Sequence, residues 1–298
     1  MSRKLALSTR WLHGRFEGLR DFFAAAEAIG FERFELDSSI SLKLLAGVSL
    51  PEGQIPSLEV PCPAHPRTAA ARFASLDRYE RDAAREAAQN SFDLAEDLKA
   101  QTLIINLGRV DISPNLEDAL WEAWKKGGPD SEAVQGLQKE LIDLRARHAP
   151  QHLQAALYDV EYLANKAVDY GLTIGLLTPG RYSGFPLPEE MDLILNDFGD
   201  PVYYWHDVGQ AQIFESLGLL PGQVWWDMFA EKTIGLHLND TRGLTKWLPP
   251  QKEGNLPLDD LAAHLPEQSL ITCTFSAACQ PETISEGLQK LRSTFSAS

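Results

Sequence analysis

Short runs of Leu, Ile, Val and aromatic residues recur along the chain: KLALST (4–9), RFELD (33–37), IPSLEV (55–60), TLIINLG (102–108), LTIGLLT (172–178), VYYWHD (202–207), TIGLHLND (233–240) and LITCTF (270–275). Most are followed by a stretch whose apolar positions lie three and four apart, the spacing of one helix face. Several helical stretches close on glycine, as in AAAEAIG, NKAVDYG and LNDFGD, where a residue without Cβ accepts the left-handed backbone of a helix cap. Near-continuous apolar strands alternating with amphipathic helices predict a parallel sheet covered by helices. Eight such units predict a (β/α)8 TIM barrel, with a doubly wound open sheet as the alternative. Between 112 and 170 the helical pattern is too long for one unit. An extra helical segment is expected there, between the fourth and fifth strands, with Pro150 breaking or kinking the helix that contains it. No linker-like tract interrupts the pattern, so residues 1–298 read as one barrel domain.

Composition narrows the function more than the fold. With 42 acidic against 27 basic residues the formal charge is −15, which repels a phosphate backbone and argues against nucleic acid as partner. Cys62, Cys273 and Cys279 form no CxxC pair and read as reduced thiols in a cytoplasmic protein. The first residues carry only a short apolar stretch and nowhere do about 18 apolar residues run together, so no membrane partner is expected.

In a barrel of this kind the chemistry sits where the strands end at their carboxyl side. The polar residues there are Glu35, Asp37, Glu59, Asn106, Arg109, Thr178, Arg181, His206, Asp207, Gln210, His237, Asn239, Asp240 and Arg242, with Thr274 and Ser276 from the eighth run. Such a lining suits a small polar ligand. Asp207 with His206 or His237 reads as a metal remnant, as an acid–base pair, or as a hydrogen-bonded cluster that orders the mouth. Arg181 and Arg242 read either as anion clamps or as partners of the surplus acids. Trp11, Trp205 and Trp247 would stack on a sugar face or plug the core.

The segments LTIGLLTPGRYSGFPLPEEM, YYWHDVGQAQIFESLGL, IGLHLNDTRGL and PPQKEGNLPLDDL resemble the xylose isomerase-like TIM barrels, the sugar phosphate isomerase/epimerase superfamily. That resemblance implies a divalent ion held by Glu, Asp, His and Glu from the fifth to eighth strands, the glutamates also exchanging the substrate proton. Here the fifth-strand Glu falls on Leu177, with Thr178 beside it, while Asp207 and His237 match the middle pair. The eighth-strand Glu falls between Thr274 and Ser276, where there is no carboxylate. Asn106 and Gln210 replace further family histidines, and Lys246 and Trp247 stand where the loop after the seventh strand usually carries Asp-His. One Asp and one His supply too few ligands and too little charge to hold an ion firmly. No cofactor is therefore expected, beyond weak divalent binding.

Three functions follow. The first is an isomerase/epimerase-like barrel that binds a small polyhydroxylated or anionic ligand, its metal site largely lost and its classical activity reduced or absent. The second is an active isomerase, epimerase or lyase on a sugar-like substrate through Asp207 and His237. The third is a non-catalytic structural or regulatory subunit. In the first two the ligand would meet Asn106, Arg181, Trp205, His206, Gln210, Asn239, Asp240, Arg242, Lys246 and Trp247, and the resemblance implies a homodimer paired through helical faces.

Overall fold

A computed structural model describes residues 5–50, 53–68, 72–251 and 254–296. All eight apolar runs are strands: β1 Leu5–Ser8, β2 Arg33–Leu36, β3 Ser57–Val60, β4 Thr102–Ile105, β5 Thr173–Leu177, β6 Val202–Asp207 and β7 Thr233–Leu238, with the eighth run forming β10 at Leu270–Cys273. They close in the order β1-β10-β7-β6-β5-β4-β3-β2. Every pairing is parallel, and β1 meets both β2 and β10. The open sheet is thereby excluded.

Side chains alternate across each strand. One set of faces packs against the helices in the main hydrophobic core, through residues such as Leu103, Ile105, Leu176 and Tyr204. The other points inward, where Ile104, Leu177 and Trp205 form a second, smaller cluster. Trp205 is fully buried. Its bulk is admitted by glycines on both neighbouring strands: a Cβ on Gly235 would lie 2.2 Å from the indole and one on Gly175 3.0 Å from it. A large aromatic plug thus floors the barrel mouth.

The extra helical segment is Pro114–Gly127, followed by a helix of 39 residues, Glu132–Tyr170. Pro150 does not break that helix, so of the break or kink expected there the break is excluded. The proline removes one backbone bond and crowds the preceding turn, a cost of about 3 kcal/mol, but both flanks are anchored. On one side Arg145 makes a bidentate pair with Glu190 at 2.7 and 2.9 Å and donates to the Gly184 carbonyl. On the other, His152 bridges the Ala74 carbonyl and the Asp111 amide, and Asp159 pairs with Arg81 and Arg85.

One element was not anticipated. After β7 the chain folds into an antiparallel hairpin, β8 Asp240–Arg242 and β9 Thr245–Leu248. It carries Lys246 and Trp247 to the barrel mouth.

Candidate ligand site at the barrel mouth

Period-two alternation delivers Glu35 from β2, Ser57 and Glu59 from β3, Asp207 from β6 and His237 from β7 to the inner face. His237 Nε2 donates to Glu35 Oε1 at 2.9 Å, and Ser57 Oγ donates to Glu35 Oε2 at 3.0 Å. Burial alone would press the imidazole toward its neutral form. The Glu35 carboxylate outweighs burial, so the His237 pKa is raised. Glu59 behaves oppositely: burial pushes its carboxyl up, and the nearby Arg10 and His237 charges do not cancel that effect. Glu59 therefore resists ionisation while facing the same space as His237.

Asp207 ends β6 and caps the following helix, Val208–Ser216, accepting from the Gln210 amide at 3.0 Å. The same oxygen accepts from Asn239 Nδ2 at 3.1 Å, while Oδ2 faces the Lys246 ammonium at 3.6 Å. Burial would raise the Asp207 pKa, but the Lys246 and His237 charges and these two donors bring it below its ordinary value. Asn239 also donates to Thr274 Oγ1 at 3.0 Å and accepts from the Trp247 amide at 3.1 Å. Gly209 makes this knot feasible, since a Cβ there would lie 1.9 Å from Asn239 Oδ1. Lys246 donates to Gln210 Oε1 at 2.7 Å, and burial lowers its pKa more than Asp207 restores it.

Arg10, Glu59, Asn106, Leu177, Thr178, Asp207, His237, Lys246, Trp247 and Thr274 surround an inner cavity of about 140 Å³. It shares Glu59, Asn106, Lys246 and Trp247 with an outer vestibule of about 1100 Å³. Gln210 and Arg181 line only the vestibule, where Arg181 already pairs with Asp118 at 2.6 Å.

Several residues placed at the mouth by sequence lie elsewhere. His206 alternates with Asp207 and therefore turns outward, behind the wall, against Trp226 and in line with Tyr204 and Thr178. Of the two roles open to it in sequence, stacking on a sugar face or plugging the core, Trp205 takes the second: it is fully buried and does not line the cavity. Asp240 gathers the amides of Thr241, Gln251 and Asn255, fixing the loop beyond the hairpin. Arg242 is exposed and bonds Gln251. Conversely, Arg10 and Glu59 face the cavity, and Glu35 holds His237 from behind. Glu35 and Glu59 are visible in sequence as strand-end acids, whereas Arg10 lies in the 3-10 turn Thr9–Leu12 after β1 and carried no signal.

Among the described residues no group of three or more His, Cys, Asp or Glu side chains is placed to hold a metal ion. No family model matches the sequence, and no curated protein matches it either. Solved structures do. A D-allulose 3-epimerase from Methylomonas sp. superposes over 98% of both chains at TM-score 0.64 and 13% identity. A xylose isomerase domain-containing protein from Salmonella typhimurium covers 98% of this chain and 97% of its own at TM-score 0.61 and 10% identity. This is the xylose isomerase-like TIM barrel fold. The IolI protein with a bound zinc atom has the same xylose isomerase-like fold, at TM-score 0.61 and 14% identity over 98% of this chain and 96% of that one. At these identities the likeness establishes the barrel and its mouth, and the chemistry of the mouth rests on the side chains above.

Proposed function

We propose that this isomerase/epimerase-like barrel binds a small polyhydroxylated or anionic ligand in the inner cavity without relying on a divalent ion. The observation that carries this reading is the occupation of the two retained ligand candidates. His237 Nε2 is spent on Glu35, Asp207 Oδ1 on two N–H donors, and Asp207 Oδ2 faces a lysine ammonium. A raised His237 pKa further opposes ligation, which requires neutral imidazole. Leu177 and Thr274 complete the lining without adding a carboxylate. The donor set does not fit an ion, so no step is routed through one.

The zinc in the IolI structure makes metal titration the direct test. Protein purified without chelator is expected to carry no stoichiometric metal and to show no calorimetric binding of Mn²⁺ or Zn²⁺ below millimolar concentration. One ion bound per chain at micromolar affinity would overturn the reading.

A second reading, metal-independent isomerase or epimerase activity, is favoured by Glu59, Asp207, His237 and Lys246 opening on one cavity. A carboxyl that resists ionisation beside an amine that gives up its proton more readily suits the movement of a proton at a carbon next to a carbonyl. Incorporation of solvent deuterium into a ketose or aldose would separate catalysis from binding alone. Three buried, unpaired thiols support a reducing compartment, which we take to be the cytoplasm. Among the described residues no helix is long and apolar enough to cross a membrane.

A further inference from the structure

Arg10 is a cation without an assigned task. Its guanidinium lies 4.8 Å from the centre of the Trp247 ring and 3.8 Å from Glu59 Oε2, the second distance being beyond hydrogen-bond length. No side-chain hydrogen bond joins it to any described residue, although guanidinium offers five N–H donors. Three partly or fully buried arginines of the fold are spent: Arg15 on two backbone carbonyls and Gln280, Arg145 on Glu190 and Gly184, Arg72 on Glu80 and Asp111.

Lys246 is only partly engaged. Its ammonium has one hydrogen bond, to Gln210, lies 3.6 Å from Asp207 and sits 4.8 Å from the same Trp247 ring. Both cations line the inner cavity, with the indole in contact with each. The wall thus sets the basic groups of Arg10, Lys246 and His237 against the carboxyl groups of Asp207 and Glu59. Glu35 is already committed to His237 and Ser57. Two basic side chains with unfilled donor positions therefore face one small cavity.

We infer that Arg10 and Lys246 clamp the carboxylate of a small hydroxy acid of the aldonate or uronate class, its hydroxyls turned toward Asp207, Asn106 and Thr274. This rests on the proposed role of the cavity as a site for a small polyhydroxylated or anionic ligand, and it selects the anionic member. A guanidinium and an ammonium on one oxyanion form charge-assisted hydrogen bonds, the stronger class. Trp247 packs against both and limits their alternative positions.

The test compares ligands that differ in one group. D-Erythronate and erythritol share a four-carbon hydroxylated chain, one ending in a carboxylate where the other ends in CH2OH, and gluconate and sorbitol form a longer pair. Calorimetric titration of the full chain is expected to show each acid binding at least tenfold tighter than its polyol. Arg10→Met and Lys246→Met should each abolish that preference. Arg10→Lys, which keeps the charge and loses the planar fork, should retain part of it and serves if Arg10→Met does not fold. Arg242→Met, outside the cavity, should leave all four affinities unchanged. Equal binding of acid and polyol, or a preference that survives both Met variants, overturns the clamp and leaves the cavity's role standing. If none of the four ligands binds at millimolar concentration, the clamp and the cavity's proposed role fall together.

Discussion

Trp205→Ala is expected to destabilise the barrel by about 3–5 kcal/mol, the range for emptying a core aromatic site that the surroundings cannot refill. The plug has little ability to be replaced by neighbours, because the adjacent strands present Gly175 and Gly235 rather than side chains able to swing inward. The converse substitution should also be costly. In Gly235→Ala the new methyl would sit 2.2, 2.5 and 2.6 Å from three carbons of the indole, so ring or strand must move, at about 1–3 kcal/mol or more. The two sites share one volume and should couple: Gly235→Ala is expected to cost less in a Trp205→Leu background than in the parent chain. Denaturant unfolding of the parent chain, Trp205→Ala, Gly235→Ala, Trp205→Leu and the Trp205→Leu/Gly235→Ala double variant measures this. Losses below about 1 kcal/mol for both single variants, by the same scale of core substitutions, would mean that the indole does not fill the barrel floor.

Acidification should unfold the protein through a residue that never meets the ligand. Burial pushes the His206 pKa down from 6.5 to about 4, with Asp207 offsetting only part of that effect. In the unfolded chain the same imidazole titrates near its ordinary value, so between these two pH values the unfolded state binds more protons. Stability contributed by the neutral ring is therefore complete above about pH 6.5 and is lost as pH falls toward 4, amounting to about 3 kcal/mol at the bottom of the window. His237, with its pKa raised, has the opposite sign: its contribution is present below its unfolded pKa and declines as pH rises through the folded one. His206→Gln retains a polar group opposite the Tyr204 hydroxyl and removes the titration. The variant should show a visibly flatter fall in unfolding free energy between pH 6.5 and 4.5, measured by denaturant titration at each pH. An unchanged slope would assign the acid sensitivity to other groups.

The eight strands were legible because their outward faces must be apolar to pack against the helices, which leaves short runs rich in Leu, Ile, Val and aromatic residues even where the inward face is polar. The site was legible only in part. Asn106, Asp207, His237, Lys246 and Trp247 do line the inner cavity, each standing at or just beyond a strand end. His206 and Asp207 are adjacent in sequence yet on opposite sides of the wall, a distinction that strict alternation along VYYWHD encodes. At Pro150 the sequence could not choose between a break and a kink, because the partners that anchor Arg145, His152 and Asp159 on either side come from distant parts of the chain. Arg10 was invisible for a related reason. A lone arginine in a short turn gains meaning only when the hairpin carrying Trp247 folds back beside it.

That last contact ties recognition to the order in which the molecule assembles. Arg10 belongs to the first β/α unit and Lys246 to the hairpin after the seventh strand, so their positions on either flank of the cavity depend on β1 having met β10. Partly folded chains that have formed most of the sheet but not this seam would hold the two cations apart and bind poorly. A ligand selective for the closed barrel then adds a stabilisation that grows as RT ln(1 + [L]/Kd). It acts as a latch on the most non-local seam of the fold, the one whose loop-closure entropy is largest. Occupancy of the mouth would accordingly slow the opening of the terminal strands, and protection of their amides against hydrogen exchange would report ligand even in the absence of any turnover.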